Sequence, residues 1–134
     1  MDRISFLEYG LEIAKVAALR SEDPKIKVGA VAFTKENRVV GIAYNGLMSG
    51  FKTPEGFWDD RDKARKYISH AEQNLVSLFK RGEADTVFCT MTPCTSCMIL
   101  LISHGIQNIY YSEEYAKSEA LDIAKMYGIN LQKL

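Results

Sequence analysis

The chain has 134 residues, of which 17 are basic and 17 acidic, so no global positive field points to nucleic acid as a partner. That length suits one domain, 1–134, with a proper hydrophobic core. Three cysteines, no secretory leader and no apolar run long enough to span a membrane speak against a disulfide framework and a membrane protein, and predict a soluble, reduced protein of the cytoplasm, or of a host's cytoplasm were the source viral.

The first predicted element is an amphipathic helix over 4–19, with Ile4, Leu7, Leu11, Ala14 and Ala18 on one stripe. Ser21-Glu22-Asp23-Pro24 ends it. Residues 28–33 and 38–44 read as two strands joined at Lys35-Glu36-Asn37, which predicts a hairpin. From Asn45 to Asp62 the chain carries glycines, a proline and mixed polar residues and reads as a long loop; loops of this length in a compact domain are usually functional. The basic cluster Arg61-Asp62-Lys63-Ala64-Arg65-Lys66 contains an acid and follows Asp59-Asp60, so it reads as a solvated face rather than a polynucleotide site. A helix is predicted over 70–81, with Leu75, Leu78 and Phe79 turned to a core or an interface. A strand follows over 86–91, a helix over 94–104 ended by Gly105, a strand over 107–111, a helix over 115–127 closed by Gly128, and a short strand over 129–131. This order predicts a layered α/β sheet, mostly parallel after the hairpin, because parallel neighbours need crossover helices and the chain supplies them. The pattern leaves the strand order open.

Two short segments carry the chemistry. His70-Ala71-Glu72 begins one predicted helix, and Pro93-Cys94-Thr95-Ser96-Cys97 begins another. One imidazole and two thiols leave the fourth position of a tetrahedral zinc open, as catalytic rather than structural sites do. Cys94 and Cys97 stand at i and i+3 and so share a helix face, and Pro93 suits the helix start. Amides at a helix N-terminus favour thiolates. Two thiolates and a neutral His70 would let water in the open position lose a proton near neutral pH. Glu72 is too close to His70 to be a comfortable co-ligand from the same turn, and is assigned as the proton shuttle. The other readings are a Cys-x-x-Cys redox pair, or a structural zinc completed by Cys89 or His104. Cys89 lies in an apolar strand, and His104 sits at a helix end where the dipole favours it. A non-enzymatic zinc module has no use for the free carboxylate of Glu72.

His-x-Glu followed by Pro-Cys-x-x-Cys is the pattern of the zinc nucleobase deaminases. Further segments narrow the resemblance. Ser21-Glu22-Asp23-Pro24-Lys25-Ile26-Lys27-Val28-Gly29-Ala30 is similar to S-x-D-P-x-x-x-V-G-A, Gly41-Ile42-Ala43-Tyr44-Asn45-Gly46 to G-x-G-Y-N-G, and Gln73-Asn74 follows the glutamate. Over most of its length the chain resembles the deoxycytidylate (dCMP) deaminases of the zinc-dependent cytidine/deoxycytidylate deaminase superfamily. The resemblance implies a cytidine deaminase-like three-layer α/β/α fold around a central five-stranded mixed sheet. It implies hydrolysis of dCMP to dUMP and ammonia, supplying dUMP for thymidylate synthesis, with Zn2+ held by His70, Cys94 and Cys97 and with Glu72 catalytic.

Carried over residue by residue, Asn45 would contact the sugar or base, Ser21 and Lys27 the phosphate, and Tyr115, at the start of the fourth helix, the nucleotide. Ala71, Thr92 and Pro93, beside the ligands, join the substrate-binding set. Each has a plainer alternative: Asn45 as a turn residue before Gly46, Lys25 and Lys27 as solvated charges, Tyr115 as a helix-surface tyrosine. The resemblance also implies a homo-oligomer, usually a hexamer, activated by dCTP with Mg2+ and inhibited by dTTP. Its effector site lies near Tyr44, Gly46 and the loop to Gly50, with Arg81 as a link or as an ordinary basic residue at a helix end. Leu47-Met48-Ser49-Gly50 departs from the proline and arginine or asparagine that often follow Asn-Gly in the family, which puts regulation and not catalysis in question. The loop has no further His or Cys for a second, structural zinc, so one ion per chain is expected. The rival within the superfamily is a zinc deaminase of another base or nucleoside: guanine, cytidine or tRNA adenosine.

Overall fold

The computed structural model describes residues 2–134. Helix α1 (Phe6–Ala18) starts at Ser5, whose hydroxyl accepts the Glu8 amide at 3.1 Å. Ile4 therefore precedes the helix and is exposed, instead of opening its apolar stripe. The buried stripe is Gly10, Leu11, Ala14, Ala17 and Ala18. It is made of small residues because the sheet lies very close. A Cβ on Gly29 would stand 1.9 Å from the Ala14 carbonyl oxygen, so only glycine lets the first strand begin against the helix backbone.

Strands β1 (Gly29–Phe33) and β2 (Val39–Tyr44) form the predicted antiparallel hairpin, with an irregularity at Ala32/Phe33. Asn37 makes the turn in the left-handed region at φ 63°. Strands β3 (Thr86–Met91), β4 (Asn108–Glu113) and β5 (Asn130–Lys133) complete one sheet in the order β2-β1-β3-β4-β5. β1 is antiparallel to both its neighbours, and β3, β4 and β5 run parallel. On one face α1 covers Val31, Phe33 and Phe88, whose rings meet edge to face at 5.6 Å. On the other face lie α3 (Ala71–Val76), α4 (Thr95–Ser103) and α5 (Ala120–Tyr127), over Ala30, Ala32, Val87, Cys89 and Ile109. This is the three-layer arrangement with a five-stranded mixed sheet.

Three expected elements differ, each for a local reason. The helix from Ala71 stops at Val76, not Arg81. Ser77 returns its hydroxyl to the Asn74 carbonyl at 2.7 Å, and the chain then turns through Gly82 (φ 86°), whose amide reaches the His104 carbonyl at 2.9 Å. Leu75 and Phe79 are buried as expected, but Leu78 falls in the turn and is 53 % exposed. The last helix starts at Ala120, not Tyr115. The Ser118 hydroxyl accepts the Ala120 amide at 3.0 Å and donates to the Pro93 carbonyl at 2.6 Å, which holds 114–119 as a loop over the start of α4. The long loop also has structure of its own. It contains a 3₁₀ turn at Phe57–Asp59, a short helix α2 (Arg61–Ala64) and a second 3₁₀ turn at Arg65–Tyr67. Its ends are closed by paired backbone bonds between Gly46 and Ser69, at 3.0 and 2.8 Å.

Candidate metal and active site

Both halves of the motif stand at helix starts. His70 is the N-cap of α3 and Cys94 the N-cap of α4, with Cys97 one turn inside α4. The two helices enter from the same side of the sheet, so two positive dipole ends converge where the three side chains meet. His70 Nδ1 lies 3.3 Å from Cys97 Sγ and 3.5 Å from Cys94 Sγ, and the three donor atoms all fall within 4.8 Å of one another. Ligand bonds of 2.0–2.3 Å around a tetrahedral zinc put nitrogen and sulfur roughly 3.6 Å apart, and sulfur and sulfur roughly 3.8 Å apart. The triangle is therefore already close to the size that zinc needs. Among the described residues no other cluster of His, Cys, Asp and Glu has this geometry. Cys89 is buried inside the sheet core, and His104 caps the far end of α4.

The protonation pattern suits a site that binds positive charge. A hydrogen bond from Cys97, with another from His70, pulls the Cys94 thiol down to about 3. The same bond to Cys94, together with burial, pushes Cys97 up. The pair thus shares one proton, and a dication in the triangle would displace it and take both sulfurs as thiolates. The hydrogen bond to Cys94 also raises His70, against the opposing effect of burial.

Glu72 follows two residues after His70 in the first turn of α3 and is 4 % exposed. Burial pushes its carboxyl up to about 7, which suits a group that must take and give a proton near neutrality. Glu72, His70 and Cys94 line a cavity of about 320 Å³, at the small end of the range for ligand sites. Val28, Ile68 and Met91 give it apolar walls, and Asn45, Ala71, Thr92 and Tyr115 also line it.

The other expected site residues separate into groups. Tyr115 reaches the cavity from a loop, its amide held on Thr92 Oγ1 at 3.0 Å, rather than from a helix. Pro93 is buried behind the wall, where its carbonyl holds Ser118. Ser21 and Lys27 are not in the wall. Ser21 is buried with its hydroxyl on the Asp23 amide, and the Lys27 ammonium is bound to the Ser21 carbonyl. Tyr44 and Gly46 lie outside the cavity. Tyr44 lines a separate apolar groove against α1, and its carbonyl accepts Asn74 Nδ2 at 2.8 Å, which accounts for the asparagine two residues after Glu72. Arg81 is exposed in the turn beside Gly82, at the end of α4 opposite Cys94, and so is not at the end of a helix.

Asn45 has a structural duty as well as a place in the wall. Its Oδ1 accepts the Val28 amide at 2.8 Å and its Nδ2 donates to the Ile26 carbonyl at 2.9 Å, so it brackets the segment that leads into β1. Asn45→Ala leaves two backbone groups without their partner and is expected to lower stability by about 1–3 kcal/mol, read as a shift in the urea midpoint. An unchanged midpoint would leave Asn45 without this bracing role.

The sequence reading missed Asp23, Arg61, Arg65 and Lys117, which all line the cavity. Arg61 grips the buried Asp23 with two bonds of 2.5 and 2.7 Å. Burial alone would raise the Asp23 carboxyl, but this fork and the amides of Lys25 and Ile26 hold it below the usual value. The available signal was the four-residue spacing of Arg61 and Arg65, which sets both on one helical face.

Comparison with known proteins agrees with this geometry. Residues 4–113 match the family described as the cytidine and deoxycytidylate deaminase zinc-binding region. The chain is 33% identical to the deoxycytidylate deaminase of Mus musculus, over 98% of this chain and 81% of that protein. It is 32% identical to the deoxycytidylate deaminase of Homo sapiens, over the same shares of 98% and 81%. Among solved structures, the dCMP deaminase of the cyanophage S-TIM5, in complex with dCMP and dUMP, has the same fold. It superposes with a TM-score of 0.82, at 24% identity, over 100% of both chains.

Proposed function

The chain belongs to the cytidine and deoxycytidylate deaminase family, and we propose that it hydrolyses dCMP to dUMP and ammonia with one zinc ion held by His70, Cys94 and Cys97. The observation that carries this reading is the buried Glu72 carboxyl beside the three-ligand triangle, in the wall of a small cavity. The substrate choice is supported by the names of the mammalian relatives.

Bound there, zinc supplies Lewis-acid activation of a water for attack on the ring carbon that bears the amino group. Cys94 and Cys97 balance its charge as thiolates, and neutral His70 adds none. Glu72 takes the proton released by the attacking water and passes it to ring N3. It then takes the second proton from the newly added hydroxyl and delivers it to the departing amine, so that the C–N bond breaks as ammonia leaves and the ring keeps the oxygen as a carbonyl. Val28, Ile68 and Met91 keep other water from the ring, and Asn45, Thr92 and Tyr115 border the space left for the sugar.

Ammonia release measured side by side from dCMP, cytidine, guanine and a tRNA tests the substrate. The highest kcat/KM is expected with dCMP, and a higher value with any of the others would replace this reading by another deaminase of the superfamily. A polynucleotide substrate is disfavoured by the equal numbers of acidic and basic residues and by the acids interleaved in the Arg61–Lys66 cluster. No helix of the protein is long and apolar enough to cross a membrane.

The finer reading is a cytoplasmic homo-oligomer, a hexamer, activated by dCTP with Mg2+ and inhibited by dTTP through the Tyr44–Gly50 loop. Coupled sites in a symmetric oligomer make the dCMP saturation curve sigmoidal without activator and hyperbolic with it. Steady-state rates with each triphosphate check this. Hyperbolic curves indifferent to both nucleotides would mean an unregulated enzyme and an ordinary surface role for Arg81.

A further inference from the structure

We infer that Arg65 and Lys117 clamp the 5′-phosphate of the substrate, and that the loop from Leu47 to Ile68 thereby gives the enzyme its preference for a nucleotide over a nucleoside. The inference rests on the dCMP reading above and assigns the part of the cavity that the chemistry at Glu72 does not use.

The cavity is lined by three fixed cations and two carboxyls. Glu72 belongs to the reacting end. Asp23 and Arg61 close on each other, since both carboxylate oxygens take guanidinium N–H groups and the same carboxylate accepts the Lys25 and Ile26 amides at 2.9 and 3.1 Å. Arg65 and Lys117 are left. Neither side chain has an ion-pair or hydrogen-bond partner among the described residues, yet both face the cavity from segments far apart in the chain. The two lysines nearer β1 are no substitute. Lys27 is bound to the Ser21 carbonyl, and neither Lys25 nor Lys27 is in the wall.

The backbones that carry these two cations are held firmly, although the charged ends are free. The Arg65 loop is closed at its base by the Gly46–Ser69 pair and filled by its own rings: Phe51 stacks on Tyr67 at 5.8 Å and meets Phe57 at 5.6 Å. The Arg61–Asp23 fork ties it to the segment before β1. Lys117 sits in a turn closed by the Ser118 amide on the Tyr115 carbonyl at 3.0 Å, with the Ser118 hydroxyl anchored on Pro93. Two exposed cations in the wall of one cavity match a phosphate monoester, which carries about −1.5 to −2 charge near neutral pH. A guanidinium can meet two of its oxygens at once, and an ammonium adds a point charge.

The test uses the zinc-loaded enzyme and compares dCMP with deoxycytidine, which lacks only the phosphate. For Arg65→Ala and for Lys117→Ala, the ratio of kcat/KM for dCMP to that for deoxycytidine is expected to fall about tenfold or more, chiefly through KM for dCMP. Arg65→Lys is expected to recover part of the loss. Variants that keep the parent ratio, or that lose both substrates equally, would overturn the clamp while leaving dCMP deamination intact. A parent enzyme with no preference for dCMP over deoxycytidine would overturn both the clamp and the reading on which it rests.

Discussion

Glu72→Gln is expected to retain a full complement of zinc and to lose turnover by at least ~10²–10⁴-fold, the usual contribution of one general acid–base group. The loss should lie at the upper end or beyond it, because in the proposed mechanism one carboxyl serves the water, ring N3 and the leaving amine in succession. The amide keeps the shape and the burial of the side chain, so a folding defect does not account for the outcome. Zinc content by metal analysis and ammonia release on the same sample decide it: near-normal turnover with full zinc would remove Glu72 from the proton path. A second readout is independent of activity. In the metal-free protein, burial raises the Glu72 carboxyl from 4.5 to about 7. Between those two values the folded state holds a proton that the unfolded state has released, so this group's contribution to stability falls as pH rises through the window and is level above it. His70 and Cys94 also change charge with pH, so the effect is read as the difference between parent and variant. The Tm of metal-free parent minus that of Glu72→Gln should decline from about pH 4.5 to about pH 7. A flat difference would mean that the carboxyl is not held in a desolvated place.

The cluster of His70, Cys94 and Cys97, the Glu72 carboxyl beside it and the layered α/β order were legible because each is a local signal. The three cluster residues lie at helix starts, and the hydrophobic runs have strand and helix lengths. The parts that were not legible depend on contacts distant in sequence or on competition between near-equal local choices. Arg61 looks like a solvated residue in a run of mixed charge, and only the fold brings it to the buried Asp23, 38 residues earlier. The same fold places Arg65 in the cavity wall and leaves Ser21 and Lys27 outside it. The early end of one helix and the late start of another follow from Ser77 and Ser118, whose hydroxyls bond to backbone groups that a longer helix would have used or passed by. Strand order follows from which edges pair, and neither apolar period nor turn chemistry carries that information.

The three cysteines offer the sharpest separation of metal from packing. Cys94→Ser and Cys97→Ser are each expected to lower zinc affinity by more than the ~10–100-fold lost when a hydrogen-bond partner of a metal ligand is removed, because a serine hydroxyl is a poor zinc ligand at neutral pH. Cys89→Ser is expected to keep zinc at one ion per chain. Cys89 is fully buried among Ala30, Val87 and Met98 on the sheet face, so its substitution introduces a buried hydroxyl and is expected to lower stability by about 1–3 kcal/mol while leaving His70, Cys94 and Cys97 in place. Stability alone therefore does not distinguish the variants, since all three are expected to be weakened. The discriminating quantity is the rise in Tm on adding zinc. A ligand present at a hundred times its Kd stabilises a folded protein by about 2.7 kcal/mol. That increment should appear in the parent and in Cys89→Ser, and should shrink or vanish in Cys94→Ser and Cys97→Ser at the same zinc concentration. The two ligand variants are also expected to differ from each other. In the metal-free protein Cys94 lies partly open with its thiol drawn down, whereas Cys97 is buried and holds the shared proton. A serine hydroxyl at 97 can still donate to the Cys94 sulfur, so Cys97→Ser should keep the metal-free fold better than its metal content suggests. A full zinc-dependent rise in Tm in either ligand variant, or its loss in Cys89→Ser, would overturn the ligand set.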